Sequence, residues 1–262
     1  MLRRAGYQPP VKTAAEILAM REACTVAATV LDRLCEKVAP GVNTYDLDQE
    51  GRRLMEELGA ESSCYNYVVG SKIFPAYTCL SVNDEVVHGI GSLKTVLAEG
   101  DNITVDVVVR FNGWIGDNAR TVIVGEGSED MQRLVRVTEE SFYKGLEMAR
   151  PGKRVGDISN AVQRYVEGHG FSVVREFVGH GVGTGMHEEP QIPNYGRRNT
   201  GDRLRPGMTL AIEPMVNAGK PAIRMSNNGW TALTKDGKPA AHYEHTVLIT
   251  EGEPEILTIP KK

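Results

Sequence analysis

The sequence contains few cysteines, and none of them belongs to a metal-binding or redox motif. The four cysteines form no Cys-x-x-Cys pair, which excludes a zinc ribbon and a thioredoxin-type motif. So few cysteines in 262 residues favour a reducing compartment.

Long apolar runs and basic runs are also missing. No stretch approaches the roughly 18 apolar residues of a membrane span. Arg3 and Arg4 are not followed by the apolar segment of a secretory signal. Lys and Arg (30) nearly balance Asp and Glu (34), without the basic stripe typical of nucleic-acid binding. We therefore expect a cytoplasmic protein whose work requires neither a membrane nor a nucleic acid.

Several common hydrolase and nucleotide-binding motifs are absent. There is no Gly-x-Ser-x-Gly elbow of a serine hydrolase and no Walker A loop. His187-Glu188-Glu189-Pro190-Gln191 is not His-Glu-x-x-His, because the second histidine is missing and proline disfavours a helix. Taken alone, His187 could also be an ordinary histidine in a loop, without a functional role.

The helix signals occur twice along the chain. A capping box at Thr13 and Glu16 predicts a helix that ends before Pro40-Gly41, and a second helix follows over 45–58. Further helices are predicted over 129–149 and 157–168. The pattern repeats at an offset of 111 residues (152 − 41). At this offset Pro151-Gly152 matches Pro40-Gly41, Asp157-Ile158 matches Asp46-Leu47, and Gly170 matches Gly59.

Strand patterns follow each helix pair. They cover 103–109, 114–124, 172–178, 208–216 and 241–250. We therefore expect an α+β chain, one domain over 1–262, made of two duplicated halves (about 12–125 and 126–250). The alternative is chance, since Pro-Gly is common after helices. Duplication would bring the sheets together, leave the helices outside and place an active site on the central axis.

Two carboxylates interrupt the first pair of apolar strands. Asn112-Gly113 predicts a two-residue hairpin turn, so paired residue numbers sum to 225. Asp106 then faces Ala119, Asp117 faces Val108, and the two carboxylates are diagonal neighbours about 5–8 Å apart. Carboxylates this close need a cation or a shared proton between them.

Two more acids lie in apolar strands, Glu213 and Glu244. Each alone could be an acid at a solvated strand end. Together with Asp106, Asp117 and His180 they form an oxygen-rich, thiolate-free set that favours two divalent ions of the Mn, Fe or Co type. Such a pair would acidify a water held between the ions into a nucleophile for amide hydrolysis.

Four motifs between about Lys12 and Thr250 carry a family resemblance. They are Phe177-x-Gly179-His180-Gly181-Val182-Gly183 with His187, Ile192 and Asn194-Tyr195; Ser81-Val-Asn-Asp-Glu-Val-Val-His88-Gly-Ile90; Ala211-Ile-Glu-Pro-Met215; and Tyr243-Glu-His-Thr246. Together they resemble the type I methionine aminopeptidases, dinuclear-metal peptidases of the pita-bread fold. The resemblance implies two pseudo-symmetric halves with a central antiparallel sheet and helices packed outside.

The resemblance also implies a role for each site residue. Asp117 and Glu244 would bridge two metal ions, Asp106 would complete the shell of one, and His180 with Glu213 that of the other. His88 and His187 would act in catalysis beside Glu213 and would contact the substrate. The pocket for the methionine side chain would include Cys79, Trp230 and Tyr65.

The implied reaction is removal of the initiator methionine when the second residue is small, by attack of a metal-bridging hydroxide on the first peptide bond. The implied cofactors are two divalent ions (Co, Mn, Fe, Zn or Ni), with a monovalent cation near Asn83. The partners would be nascent polypeptide N-termini near the ribosome, and the enzyme would be a monomer.

Three departures from the usual pattern predict an altered pocket. The segment between Cys64 and Cys79 is a few residues longer, Gly91 stands where proline is usual, and Met186 stands where an aromatic residue is frequent. Methionine is flexible enough to fill an irregular apolar site.

Two other interpretations stay open at this point. A peptidase of the same fold that cleaves X-Pro bonds would share the five ligands, but usually lacks the Met186-His-Glu-Glu-Pro-Gln-Ile-Pro-Asn194 context. A non-enzymatic binding protein of this fold would be expected to have lost ligands.

Overall fold

The computed structural model describes residues 8–260, and Arg3 and Arg4 lie outside that range. Four helices are formed within it: α1 (Ala14–Cys35), α2 (Thr44–Glu57), α3 (Glu129–Leu146) and α4 (Val155–Gly168). The strands are β1 (Glu61–Ser62), β2 (Val68–Val69), β3 (Lys72–Ile73), β4 (Cys79–Val82), β5 (Glu85–Val87), β6 (Asn102–Phe111), β7 (Trp114–Ile123), β8 (Ser172–Val173), β9 (Val178–Gly181), β10 (Glu188–Pro193), β11 (Thr209–Ile212), β12 (Met215–Asn217), β13 (Ile223–Met225), β14 (Ala232–Thr234), β15 (Ala240–Leu248) and β16 (Glu255–Ile256).

The helix ends follow the signals in the sequence. Thr13 and Glu16 form the predicted capping box at the start of α1. The helix predicted from residue 157 begins two residues earlier, at Val155, because Asp157 accepts a hydrogen bond from the backbone N–H of Arg154 at its start. The helix predicted over 129–149 ends at Leu146.

One antiparallel sheet dominates the structure, and its principal strand order is β1-β6-β7-β15-β11-β9-β10. The β6–β7 hairpin has the predicted register, with Asp106 opposite Ala119 and Asp117 opposite Val108. Its turn is Asn112-Gly113, and both residues have positive φ angles, as this tight hairpin turn requires.

The segment predicted as one strand over 208–216 is interrupted. The ladder between β11 and β15 ends at Ile212↔His245, and the ladder between β12 and β15 resumes at Met215↔His242. Paired numbers sum to 457 on both sides of the gap, so Glu213 lies opposite Glu244. The interruption is at Pro214, which has no backbone N–H to donate. The strand predicted over 172–178 is likewise shorter, since regular pairing covers only Ser172–Val173 before β9 begins.

The helices pack on the face of the sheet opposite the acids. Alternate residues of β6 divide accordingly: Val105, Val107 and Val109 join the cluster under α1 and α2, while Asp106 and Val108 face the other way. A second apolar cluster joins Phe142 of α3 and Ile158 of α4 to β11 and β15. Each half of the chain therefore contributes its own helix pair and its own apolar cluster.

No helix within residues 8–260 is both long and apolar enough to cross a membrane.

Candidate metal centre and active site

A cavity of about 260 Å³ opens on the face of the sheet opposite the helices. Nine of the ten residues singled out from the sequence line it: Cys79, His88, Asp106, Asp117, His180, His187, Glu213, Trp230 and Glu244. The structure thus brings together residues that are up to 165 positions apart (244 − 79) in the chain.

Strand register places four acids and one histidine in two adjacent rows on the cavity face. The first row runs through Asp106, Ala119 and Glu244 on three strands to Glu213, in the interruption between β11 and β12. Ala119, whose side chain is a single methyl group, separates Asp106 from Glu244, which leaves space between the two carboxylates.

The second row begins two residues further along the strands. It runs from Asp117 through Thr246 and Ala211 to His180. The hydroxyl group of Thr246 donates to the backbone carbonyl of Asp117 at 2.8 Å, which fixes this part of the ladder. The antiparallel register therefore determines the placement of all five side chains.

Glycine is required on both sides of His180. A Cβ atom on Gly179 would collide with the carbonyl oxygen of Ala211, and one on Gly181 would collide with that of Glu189. Real Cβ atoms do not approach backbone so closely, so these two glycines allow β9 to pass between its neighbours. This explains the glycines that flank His180 in the sequence.

The hydrogen bonding of His180 leaves one ring nitrogen available to a ligand. Nδ1 lies 2.9 Å from the backbone oxygen of Gly181. A carbonyl oxygen only accepts, so Nδ1 carries the proton and Nε2 presents a lone pair. Nε2 lies 3.5 Å from Oε1 of Glu213 and 3.8 Å from Oδ2 of Asp117.

Within residues 8–260, these buried acids form no ion pair with a Lys or Arg side chain. Burial raises the pKa of Asp106 to about 7. Burial and the nearby charge of Asp106 raise the pKa of Asp117 well above its ordinary value. Burial and the charge of Asp117 do the same for Glu213 and Glu244. Four ionised carboxylates in this space would repel one another strongly unless positive charge were added.

The donor set fits divalent metal ions. Ligand atoms of Asp117, His180 and Glu244 all lie within 4.8 Å of one another. The Oδ1 atom of Asp106 is buried and has no hydrogen-bond partner in the part of the chain that the structure describes. Carboxylate oxygens with a single imidazole nitrogen suit ions such as Mn²⁺, Fe²⁺ or Co²⁺. These five residues could therefore hold metal.

His187 lies beside this cluster, and a tyrosine holds its ring in place. Its ring centroid lies 4.5 Å from that of His180, in an edge-to-face arrangement. The hydroxyl oxygen of Tyr67 lies 2.9 Å from Nδ1 of His187. Burial lowers the pKa of His187, which favours a neutral ring.

His88 lines the cavity directly after β5. Its backbone is in the left-handed region, with φ of 60°, which is uncommon for a residue other than glycine and frequent at functional sites. Its ring packs edge-to-face on Phe177, and its carbonyl accepts a hydrogen bond from the hydroxyl group of Thr231 at 3.0 Å. Burial and the nearby His187 lower the pKa of His88 to about 4.

The apolar part of the cavity contains Cys79 and Trp230, but not Tyr65. Trp230 packs edge-to-face on Phe74. The Tyr65 ring is stacked on Tyr77 at 4.3 Å and lies exposed, outside the cavity lining. Tyr67 lines the cavity instead, next to the β2–β3 pairing, where its carbonyl oxygen accepts from the backbone N–H of Phe74.

The lining residues that the sequence patterns do not single out include Tyr67, Phe74 and His242. His242 is buried, and Nε2 lies 3.8 Å from a carboxylate oxygen of Glu213 and of Glu244. Neither ring nitrogen has a hydrogen-bond partner among the described residues. Its position two residues before Glu244 on one strand is a usable signal, because such residues share a face.

Comparison with known proteins agrees with this geometry. The profile of metallopeptidase family M24 matches residues 18–251. Methionine aminopeptidase 1 of Bacillus subtilis is 49% identical over 94% of this chain and 98% of its own length.

Solved structures show the same fold. The crystal structure of methionine aminopeptidase from Thermotoga maritima superposes with a TM-score of 0.91 at 44% identity, covering 96% of this chain and 99% of that one. A prolidase from Pyrococcus furiosus, at 23% identity and a TM-score of 0.77, covers 96% of this chain and 66% of that one, and shares the fold alone. The predicted pita-bread architecture is confirmed.

Proposed function

This chain belongs to the methionine aminopeptidases of metallopeptidase family M24, and we propose that it removes N-terminal methionine from polypeptides whose second residue is small. The observation that carries the proposal is the pair of rows of ligand side chains beside an apolar pocket. Membership of a metallopeptidase family implies use of divalent metal. The number and identity of the ions are part of the proposal.

We assign the metal ligands as Asp106, Asp117, His180, Glu213 and Glu244. As the family resemblance implies, Asp117 and Glu244 would be the ligands shared between two ions; a carboxylate has two oxygens for this role, whereas a neutral imidazole offers one lone pair. Divalent ions bound here would polarise the scissile carbonyl and lower the pKa of a water nucleophile. Four negative charges would balance two M²⁺ ions.

The remaining cavity residues would bind and orient the peptide. His187, held by Tyr67, would donate from Nε2 to the oxygen of the scissile peptide, since the Tyr67 hydroxyl can donate to Nδ1. His88 would contact the nitrogen of the leaving residue. Cys79 and Trp230, with Phe74, would form the apolar pocket for the methionine side chain.

The overall organisation completes the proposal. One domain of two duplicated halves, with the site on their shared sheet, accounts for ligands drawn from both halves. Action on nascent N-termini near the ribosome, a monomeric state, a cytoplasmic location and a monovalent cation near Asn83 stay predictions.

Release of methionine from defined peptides tests this function. Protein reconstituted with Mn²⁺ or Co²⁺ should release methionine from Met-Gly-Met and should not cleave Ala-Pro. Met-Trp-Met serves as the control for a large second residue and should be cleaved far more slowly. Cleavage of Ala-Pro alone would show an X-Pro peptidase instead, and no cleavage of any peptide would favour the non-enzymatic interpretation.

A further inference from the structure

The β2–β3 hairpin lies at the mouth of the catalytic cavity. The backbone N–H of Phe74 donates to the carbonyl oxygen of Tyr67 at 2.8 Å, which extends the pairing beyond the two short strands. The hairpin belongs to the segment between Cys64 and Cys79. Its residues therefore form an ordered structure next to the site and do not loop away from it.

Two hydrogen bonds fasten the hairpin to separate parts of the cavity rim. The hydroxyl group of Tyr67 bonds to Nδ1 of His187 at 2.9 Å. The ammonium group of Lys72 donates to the backbone oxygen of Gly229 at 2.9 Å, directly before the cavity residue Trp230. The hairpin therefore spans the space between the His187 loop and the Trp230 turn.

Alternation along the hairpin gives it an inner and an outer face. Tyr67, Val69 and Phe74 line the cavity. Val68 and Ile73 are directly paired across the strands and project from the opposite face.

Val69 occupies the boundary between the cavity and solvent. It lines the cavity but is 52% exposed, whereas Phe74, deeper on the same face, is 3% exposed. When a ligand covers a half-exposed apolar side chain beside a substrate channel, apolar surface is removed from water and the complex is stabilised.

We propose that Val69 contacts the third residue of the peptide substrate and favours an apolar side chain there. This inference rests on the proposed aminopeptidase function. With the methionine side chain against Trp230 and Phe74, the rest of the peptide leaves through the mouth of the cavity. An extended chain advances about 3.3–3.6 Å per residue, so the third residue lies about 7 Å beyond the first, at the rim.

Contact with Val69 would favour an apolar third side chain over a polar one. An apolar third side chain removes its own surface and that of Val69 from water, whereas an amide side chain of similar size must give up hydration without a hydrogen bond in return. Burying about one CH₂ equivalent corresponds to a preference on the order of threefold to fivefold.

The test compares kcat/KM for Met-Gly-Leu and Met-Gly-Asn, with Met-Gly as a substrate that lacks the third residue. Wild-type protein should prefer the leucine peptide by on the order of threefold to fivefold. Val69→Thr keeps the side-chain shape but adds a hydroxyl group, and should reduce this preference to near one. Val68→Thr makes the same change on the outer face of the hairpin and should keep the wild-type preference.

Each contrary result points to a different failure. Equal kcat/KM for the two tripeptides in wild type, or an unchanged preference in Val69→Thr, would overturn the role of Val69. An equal loss in Val68→Thr would overturn it too, because the effect would then come from the hairpin as a whole. Failure to cleave any Met-Gly peptide would contradict the proposed function itself.

Discussion

Glu213 and Glu244 lie opposite each other on neighbouring antiparallel strands, on either side of the interruption at Pro214. Like charges in directly opposed positions destabilise a sheet. No cation from the described residues is placed within ion-pairing distance to offset both carboxylates. The His242 ring, which lies 3.8 Å from an oxygen of each, is neutral because burial and the nearby His88 lower its pKa to about 3. This pair therefore destabilises the metal-free protein, whereas bound divalent ions would offset the repulsion between the two carboxylates.

The Glu244→Gln variant should consequently have two effects of opposite sign. It should stabilise the metal-free protein by about 1–3 kcal/mol, because a repelling buried charge is lost. It should also weaken divalent-metal binding, because a ligand that can bridge is lost. Denaturant unfolding and equilibrium dialysis with Mn²⁺ measure the two effects, and Glu251→Gln at an exposed position is the control. A variant that is less stable without metal and binds metal normally would contradict the assignment.

Tyr67→Phe should lower activity by removing the hydroxyl group that holds His187. One hydrogen bond contributes about 0.5–1.5 kcal/mol, so kcat/KM for Met-Gly-Met should fall by roughly 2- to 12-fold. Tyr65→Phe is the matched control, since Tyr65 lies outside the cavity lining and its ring stacks on Tyr77. A larger loss in Tyr65→Phe than in Tyr67→Phe would reassign the tyrosine that serves the site.

Gly179→Ala should destabilise the fold and displace His180. The added methyl group would collide with the carbonyl oxygen of Ala211, and overpacking of this kind costs about 1–3 kcal/mol. Gly185→Ala is the matched control in the loop that follows β9, since its Cβ atom would come no closer than 3.4 Å to a neighbouring atom. Thermal unfolding of the two variants measures the contrast, and equal melting temperatures would argue against a close approach of β9 to β11.

His88 should make the protein less stable in mild acid. Its pKa is about 4 when folded and about 6.5 when unfolded, so the unfolded chain takes up a proton first as the pH falls. The stability associated with His88 is complete above pH 6.5 and is lost as the pH falls through 4, by on the order of 3 kcal/mol. The free energy of unfolding, measured between pH 7 and 4, should therefore fall more steeply for wild type than for His88→Gln. Parallel curves would show that His88 is not buried in its neutral form.

The parts of the site that depend on local register can be predicted from the sequence. The Asn112-Gly113 turn alone places Asp106 and Asp117 on one face of the hairpin, because a two-residue turn allows one register. Glu213 is also recognisable as an acid in an apolar strand, although that strand is interrupted. The physical reason for the interruption, the missing N–H of Pro214, is visible in the sequence as well.

Features that depend on tertiary contacts cannot be predicted from the sequence in the same way. Tyr65 and Tyr67 are two residues apart, and only the β2–β3 pairing decides which one reaches His187. The spacing of His242 from Glu244 predicts a shared face, but its place beside Glu213 depends on the pairing of β12 with β15. Its significance appears only once Glu213 is seen beside it.

Titration of metal-free protein with Mn²⁺, followed by release of methionine from Met-Gly-Met, tests the central claim most directly. We expect negligible release without metal, activity that rises with added Mn²⁺ to a plateau, and loss of that activity on chelation. Asp117→Ala should show neither binding nor release. Undiminished release from fully chelated protein, or a fully active Asp117→Ala variant, would contradict the claim that these five side chains hold the metal on which hydrolysis depends.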